Sequence, residues 1–242
     1  MIERNNMALL GVIGGLGPMA TAYFMELVTS MTDALIDQEH LRMLIYSVPD
    51  TPDRTDYILG RSKKDPLPGI ISAGLTLKEA GADVIAIPCM TAHYFHEQIE
   101  KMVGLRTLNA ISDSAELLKN SGVAKVGIMA TEGTVKSGLF RKELEKKGID
   151  AIVPDVNGQK AVTSLIFDNV KKGITPDMDA FFRVKNELVG RGAEMILLGC
   201  TELSVIKKNN DVGDHVLDVM EVLAASAIEA CGKSVRREYS LI

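Results

Sequence analysis

Short apolar runs alternate with amphipathic stretches along the whole chain. Runs over 7–13, 41–47, 83–88, 106–109, 125–130, 149–153, 194–198 and 216–218 are bounded by glycine or polar turns. This pattern predicts buried strands. Apolar positions at helical spacing predict helices over 18–32, 68–80, 92–103, 112–121, 135–147, 159–172, 177–191 and 220–230. Regular alternation of the two places the chain in the α/β class, with a mainly parallel sheet covered by helices on both faces.

The pattern also repeats. Gly81-Ala82-Asp83 runs through Val84-Ile85-Ala86-Ile87-Pro88 to Cys89, and Gly192-Ala193-Glu194 runs through Met195-Ile196-Leu197-Leu198-Gly199 to Cys200. In both copies the cysteine falls eight residues after the leading glycine. Gly11-Val12-Ile13-Gly14 is echoed by Gly127-Ile128-Met129-Ala130 at nearly the same offset and in the same order. We therefore expect two pseudo-symmetric lobes with a cleft between them. One is residues 1–104 plus 214–242, carrying Cys89; the other is 105–213, carrying Cys200. The last strand and helix are assigned to the first lobe because a terminal helix needs a sheet to cover. Ligands of open α/β sheets collect at the carboxyl ends of the strands, where both cysteines fall.

Composition narrows the partners. The 242 residues are 46% hydrophobic and 24% charged, with a net charge of −5. No basic footprint points to nucleic acid or an anionic membrane. The apolar run over 7–15 is broken by glycine and far shorter than the roughly 20 residues of a membrane span. Three cysteines in a chain of this length do not form a disulfide framework and fit a reducing cytoplasm.

Cys231, at the end of an alanine-rich helix, reads as a small core hydrophobe. Cys89 and Cys200 precede expected helices, whose N–H groups favour a thiolate, and Thr91 and Thr201 can cap those helices or bind a substrate oxygen. A metal held by Cys89, His93 and Cys200 is the rival reading, though metal sites usually bring closer Cys or His pairs. Gly15-x-Gly17-x-x-Ala20 formally meets the dinucleotide fingerprint, but the acid expected after the second strand is misplaced. A glycine loop opening a helix also binds a carboxylate. Arg54, in a loop stiffened by Pro49 and Pro52, is suited to gripping a carboxylate or to pairing locally with Asp50 or Asp53. Lys171 and Lys172 sit where cations favour a helix C-terminus. His93 and His96 lie one turn apart and suit a helix face or cap.

These segments together resemble the aspartate/glutamate racemase family of amino-acid racemases. The resemblance is carried by Gly14-Gly15-Leu16-Gly17-Pro18-Met19-Ala20-Thr21, Pro52-Asp53-Arg54-Thr55, Pro88-Cys89-Met90-Thr91-Ala92-His93, Ala130-Thr131-Glu132-Gly133-Thr134 and Gly199-Cys200-Thr201-Glu202, in family order over nearly the whole chain. It implies two lobes about one active site, no pyridoxal phosphate or other cofactor, no metal, a small dicarboxylic amino acid as substrate, and a homodimer. Cys89 and Cys200 become the acid/base pair, Arg54 and Lys171 the grips on two carboxylates. Met19, Met90, Thr91, Thr131, Thr134 and Thr201 fall on substrate-lining positions. By analogy with glutamate racemases, Cys200 serves the L-isomer and Cys89 the D-isomer. One position departs from the pattern: Met90 stands where the family usually has asparagine, removing an amide and putting substrate choice in question.

Overall fold

A computed structural model describes residues 8–242. The first half runs β1 (Leu10–Gly14), α1 (Pro18–Met31), β2 (Met43–Ser47), α2 (Arg54–Ile58), α3 (Leu67–Glu79), β3 (Val84–Ala86), α4 (His96–Val103) and β4 (Arg106–Thr107). After α5 (Ala110–Asn120) the second half repeats the order. It runs β5 (Lys125–Met129), α6 (Glu132–Ser137), α7 (Leu139–Lys146), β6 (Asp150–Ile152), α8 (Val156–Ser164), α9 (Met178–Gly190), β7 (Met195–Leu198), α10 (Thr201–Asn209), β8 (Val216–Asp218) and α11 (Val219–Ala230).

The strands form two four-stranded parallel sheets of matching order, β2-β1-β3-β4 and β6-β5-β7-β8. Side chains alternate between faces, as the pleat requires. Leu10 and Val12 of β1 join Met195 and Leu197 of β7 in a core that runs through both lobes. Ile13 faces a separate core under α3 and α4, and Ile196 and Leu198 face one under α9. Both faces of each sheet are thus covered, which explains why the strands read as continuous apolar runs. Burying one such Leu, Ile or Phe is worth about 1.5–3 kcal/mol.

Sheet membership corrects the expected division of the chain. β4 pairs with β3 through Val84↔Arg106 and Ile85↔Thr107, so it belongs to the first sheet although it lies beyond residue 104. β8 pairs with β7 through Ile196↔Val216, Leu197↔Leu217 and Leu198↔Asp218, so it does not return to the first sheet. Each edge strand follows a crossover helix back onto the sheet it left. The helices are what cross: α11 packs on α1 and reaches β3, while α5 packs on α7. The lobes thus exchange their last helices.

Local chemistry changes other boundaries. The start of the first strand at Met7 lies outside the described residues. The helix expected over 92–103 opens as a tight 3₁₀ turn over Met90–Phe95 before α4. The one expected over 135–147 is cut by Gly138 at φ +69°, a conformation glycine adopts without strain. The one over 159–172 unwinds after α8 through a π turn (Leu165–Asn169) into a 3₁₀ turn (Val170–Lys172) that carries Lys171.

Candidate active site

The cysteines occupy equivalent places. Each follows the third strand in chain order of its sheet and has extended backbone just before a helical turn, at φ −156° for Cys89 and −147° for Cys200. Both are N-cap residues, so neither Thr91 nor Thr201 caps its helix as expected; Thr201 is the first residue of α10. The strand ends converge, and Cys89 and Cys200 line one cavity together with Arg54, Met90, Thr91, Thr131, Lys171 and Thr201. The room between them is about 10 Å³ for the centre of a water-sized sphere, enough for about one water. That is too little room for an amino acid. Outside lies a vestibule with about 390 Å³ of room on the same measure, reached past Arg54 and Lys171 and lined by the exposed Met19.

Thr134 lies one layer behind the cavity. Its hydroxyl is 3.1 Å from that of Thr91 and 2.9 Å from that of Thr131, and Thr91 and Thr131 are 3.1 Å apart. This buried triangle of hydroxyls joins the turn after Cys89 to the start of α6, stitching one lobe to the other. Met90 fills apolar space: it is 2% exposed and packs into the shared core.

Arg54 is the first residue of α2, a short helix the hydrophobic pattern did not reveal because it spans little more than one turn. Asp53 caps it by accepting from the Asp56 amide. The guanidinium is buried, 7% exposed, and donates to the carbonyls of Leu16, Pro52 and Thr51 at 2.7, 3.0 and 3.3 Å. Its Nε is buried without a partner, and no carboxylate pairs with it among the described residues. A buried cation without a counter-ion is costly, and this one suits a bound carboxylate. The glycine loop after β1 holds it in place. Gly15, at φ +85°, brings the loop so close to β2 that a Cβ would sit 2.3 Å from the Val48 nitrogen. The Gly15 amide is occupied by Thr21 Oγ1, so its part is to aim the Leu16 carbonyl at Arg54.

Lys171 faces the cavity from the 3₁₀ turn, with its ammonium 3.5 Å from Glu202 and 4.9 Å from the Phe167 ring centre. Burial opposes its charge, but Glu202 and the sulfurs of Cys200 and Cys89 outweigh this and hold its pKa above the usual lysine value. Glu202, part of the second cysteine motif but not singled out there, is buried and lines the cavity. Its Oε2 accepts from Cys200 Sγ at 2.9 Å and from Thr201 Oγ1 at 3.3 Å. Burial, then the carboxylate's charge and hydrogen bond, push the Cys200 thiol well above the ordinary range. The chain itself offers only an ordinary signal for Glu202, a carboxylate two residues after the cysteine near an expected helix start.

His93 donates from Nδ1 to the Cys89 carbonyl at 3.0 Å, since a carbonyl can only accept. Burial lowers its pKa to about 4, so it is neutral near pH 7 and braces the turn. His96 likewise bonds the Thr107 carbonyl through Nε2 at 2.8 Å. Among the described residues no three His, Cys, Asp or Glu side chains are grouped to hold a metal ion. No helix among them is long and apolar enough to cross a membrane.

The architecture has known counterparts. An aspartate racemase from Picrophilus torridus superposes with a TM-score of 0.83 at 34% identity, covering 97% of this chain and 98% of that one. An aspartate racemase homologue from Pyrococcus horikoshii OT3 gives 0.75 at 26% identity over 93% and 99%. The broad specificity amino-acid racemase RacX of Bacillus subtilis is 27% identical over 223 residues, 90% of this chain and 93% of that protein. The family model Asp/Glu/Hydantoin racemase matches residues 13–227, nearly the full length. With these matches over nearly its whole length, the chain belongs to the Asp/Glu/Hydantoin racemase family and is an amino-acid racemase.

Proposed function

We propose that the chain interconverts the L- and D-forms of a small dicarboxylic amino acid, aspartate or glutamate, by proton transfer between Cys89 and Cys200. The observation that carries this reading is that the two thiols, from equivalent strand ends of opposite lobes, line one cavity. A thiolate on one face takes the α-proton and the thiol on the other face returns one, inverting the centre. The α-carbon is a weak acid, so the charge spreading into the carboxylate must be stabilised. Arg54 and backbone amides opening the helical turns after the cysteines are suited to this, each good donor being worth roughly 3–4 kcal/mol in comparable sites. Parting of the lobes admits substrate, and closure removes water and strengthens these contacts. Lys171 is the cation available to a second carboxylate.

A wider substrate range is a second reading. It is favoured by the apolar Met90 and by the roomy vestibule beside Arg54 and Lys171, and the RacX relative bears the description broad specificity.

Cys89→Ser and Cys200→Ser should each lower racemisation of aspartate by at least about 100-fold while leaving the fold intact. Chiral chromatography and α-hydrogen exchange in deuterated water provide the readout, repeated across a panel of L- and D-amino acids. Full activity in either variant would remove the two-thiol mechanism.

A further inference from the structure

The duplication sets up one contact between the lobes twice, and the two copies end differently. Four and eight places after Cys200 stand Ser204 and Lys208; at the same places after Cys89 stand His93 and Glu97. Twelve and fifteen places after Gly11 stand Tyr23 and Glu26 of α1; at the same places after Gly127 stand Leu139 and Lys142 of α7. The copy that joins α1 to α10 is closed. Ser204 donates to Asp218 at 2.6 Å, Lys208 pairs with Glu26, and the buried Tyr23 ring centre lies 4.8 Å from the Lys208 ammonium. The other copy is open. A cavity with about 570 Å³ of room, on the measure used for the cleft, lies among His93, Glu97, Ile111, Leu139 and Lys142. Leucine is too short to fill the space that a tyrosine fills in the closed copy.

Three groups at this cavity have nothing to bind. His93 is 4% exposed and gives its Nδ1 proton to the Cys89 carbonyl, so its Nε2 is an acceptor, buried without a donor. An acceptor left unmatched inside a protein is costly. Glu97 and Lys142 form no ion pair among the described residues, whereas Lys146, which also lines the cavity, is held by Glu143 at 2.6 Å. His96 stacks near His93 with ring centres 6.1 Å apart and bonds Thr107 through Nε2. Among the described residues no third ligand joins the two imidazoles to make a metal centre.

We propose that this cavity is a second amino-acid site, outside the cleft, for an aromatic amino acid that carries a hydroxyl on its ring. The ring lies against Leu139 and Ile111, in the place that Tyr23 takes in the closed copy, and its hydroxyl donates to His93 Nε2. The carboxylate meets Lys142 and the ammonium meets Glu97. One free cation and one free acid suit a zwitterion, and Glu145 beside them disfavours a purely anionic ligand. The occupant touches both lobes and the ring that braces Cys89.

Calorimetry on the intact protein with L-tyrosine as the probe tests this. One molecule should bind per chain, with a Kd below about 1 mM. L-Phenylalanine, which lacks the hydroxyl, should bind about three- to tenfold more weakly. Leu139→Tyr, which supplies the ring from the protein itself, should abolish tyrosine binding. Lys142→Glu, a change at an exposed position, should weaken it about tenfold. Arg54→Ala should leave it unchanged, because Arg54 belongs to the cleft. The proposal is overturned by no saturable binding to the parent, by phenylalanine binding as tightly as tyrosine, or by undiminished tyrosine binding in Leu139→Tyr and Lys142→Glu. Loss of tyrosine binding in Arg54→Ala would overturn it too, by placing the ligand in the cleft. None of these readouts needs turnover, so the site can fail while the two-thiol mechanism stands, and the reverse.

Discussion

The lobes share a strand order and a cysteine position, yet almost every residue that gives the site its chemistry is placed asymmetrically. After β2, Asp53 caps α2 and Arg54 turns into the cleft; after β6, Asp155 caps α8 in the same way, but the next residue is Val156, 74% exposed. After β3 the cysteine is followed by an apolar Met90 and a hydroxyl; after β7 it is followed by a hydroxyl and Glu202. After β4, Asn109 caps α5 near the surface; after β8, the fully buried Asp218 caps α11. Duplication supplies a frame with two facing strand ends. The differences put a buried arginine at one end and a carboxylate hydrogen-bonded to a thiol at the other.

If substrate anchoring belongs to the first lobe through Arg54, removing it should have the largest effect. Arg54→Ala is expected to raise KM for aspartate roughly 100-fold, about 3 kcal/mol, through loss of charge-assisted hydrogen bonds. Arg54→Lys should recover only part, because an ammonium lacks the planar fork. Initial rates by chiral chromatography check both. An unchanged KM in the alanine variant would move the anchor to the second lobe, with Lys171 as the candidate.

The frame was legible in the chain and the asymmetries largely were not. Buried parallel strands leave long apolar runs, so all eight strands and the paired cysteines could be read. Pairing between strands far apart in sequence leaves no local mark, so the expectation that the last strand joins the first sheet fails at β8, which pairs with β7; α11 packs on α1, α5 and α10. The loop around Arg54 leaves a carboxylate grip and a local ion pair both open, since nothing in periodicity separates a solvated arginine from one buried against three carbonyls; the substrate role of Lys171 and the positions of Thr131 and Thr134 come only from motif resemblance. Glu202 escaped because a carboxylate near a helix start is ordinary. Its distinction is the sulfur 2.9 Å away, which only the fold reveals.

The capping pair offers a sharper comparison of the lobes. Asp218 accepts from Ser204 Oγ at 2.6 Å and the Met220 amide at 2.9 Å through one oxygen, while the other is buried without a partner. Burial first, then the Glu221 charge, raise its pKa from 3.8 to about 7. Between those values the folded state holds more protons than the unfolded chain, so this group lowers stability as pH rises through that window. Asp218→Asn, which gives the second lobe the cap found in the first, keeps the bonded oxygen and removes the charge. It should match the parent near pH 4 and exceed it near pH 8 by about 2 kcal/mol in urea unfolding. An Asn variant weaker than the parent at pH 8 would mean that the ionised cap is needed where it sits.

The smallest effect is expected where the lobes meet at the surface. Arg61, just past α2, pairs at 2.7 Å with Glu132, which opens α6 and also holds Lys136 at 2.8 Å. Lys136 and then Arg61 lower the Glu132 pKa, but the arginine side chain is 53% exposed. Exposed pairs of this kind contribute about 0.2–1 kcal/mol and are screened by salt. Arg61→Gln should therefore cost at most about 0.5 kcal/mol and change kcat or KM by no more than about twofold. In 1 M salt the difference from the parent should vanish. The buried triangle of Thr91, Thr131 and Thr134 would then be the stronger tie between the lobes. A tenfold change in kcat that survives high salt would reverse that ranking and make the surface pair the contact that governs opening.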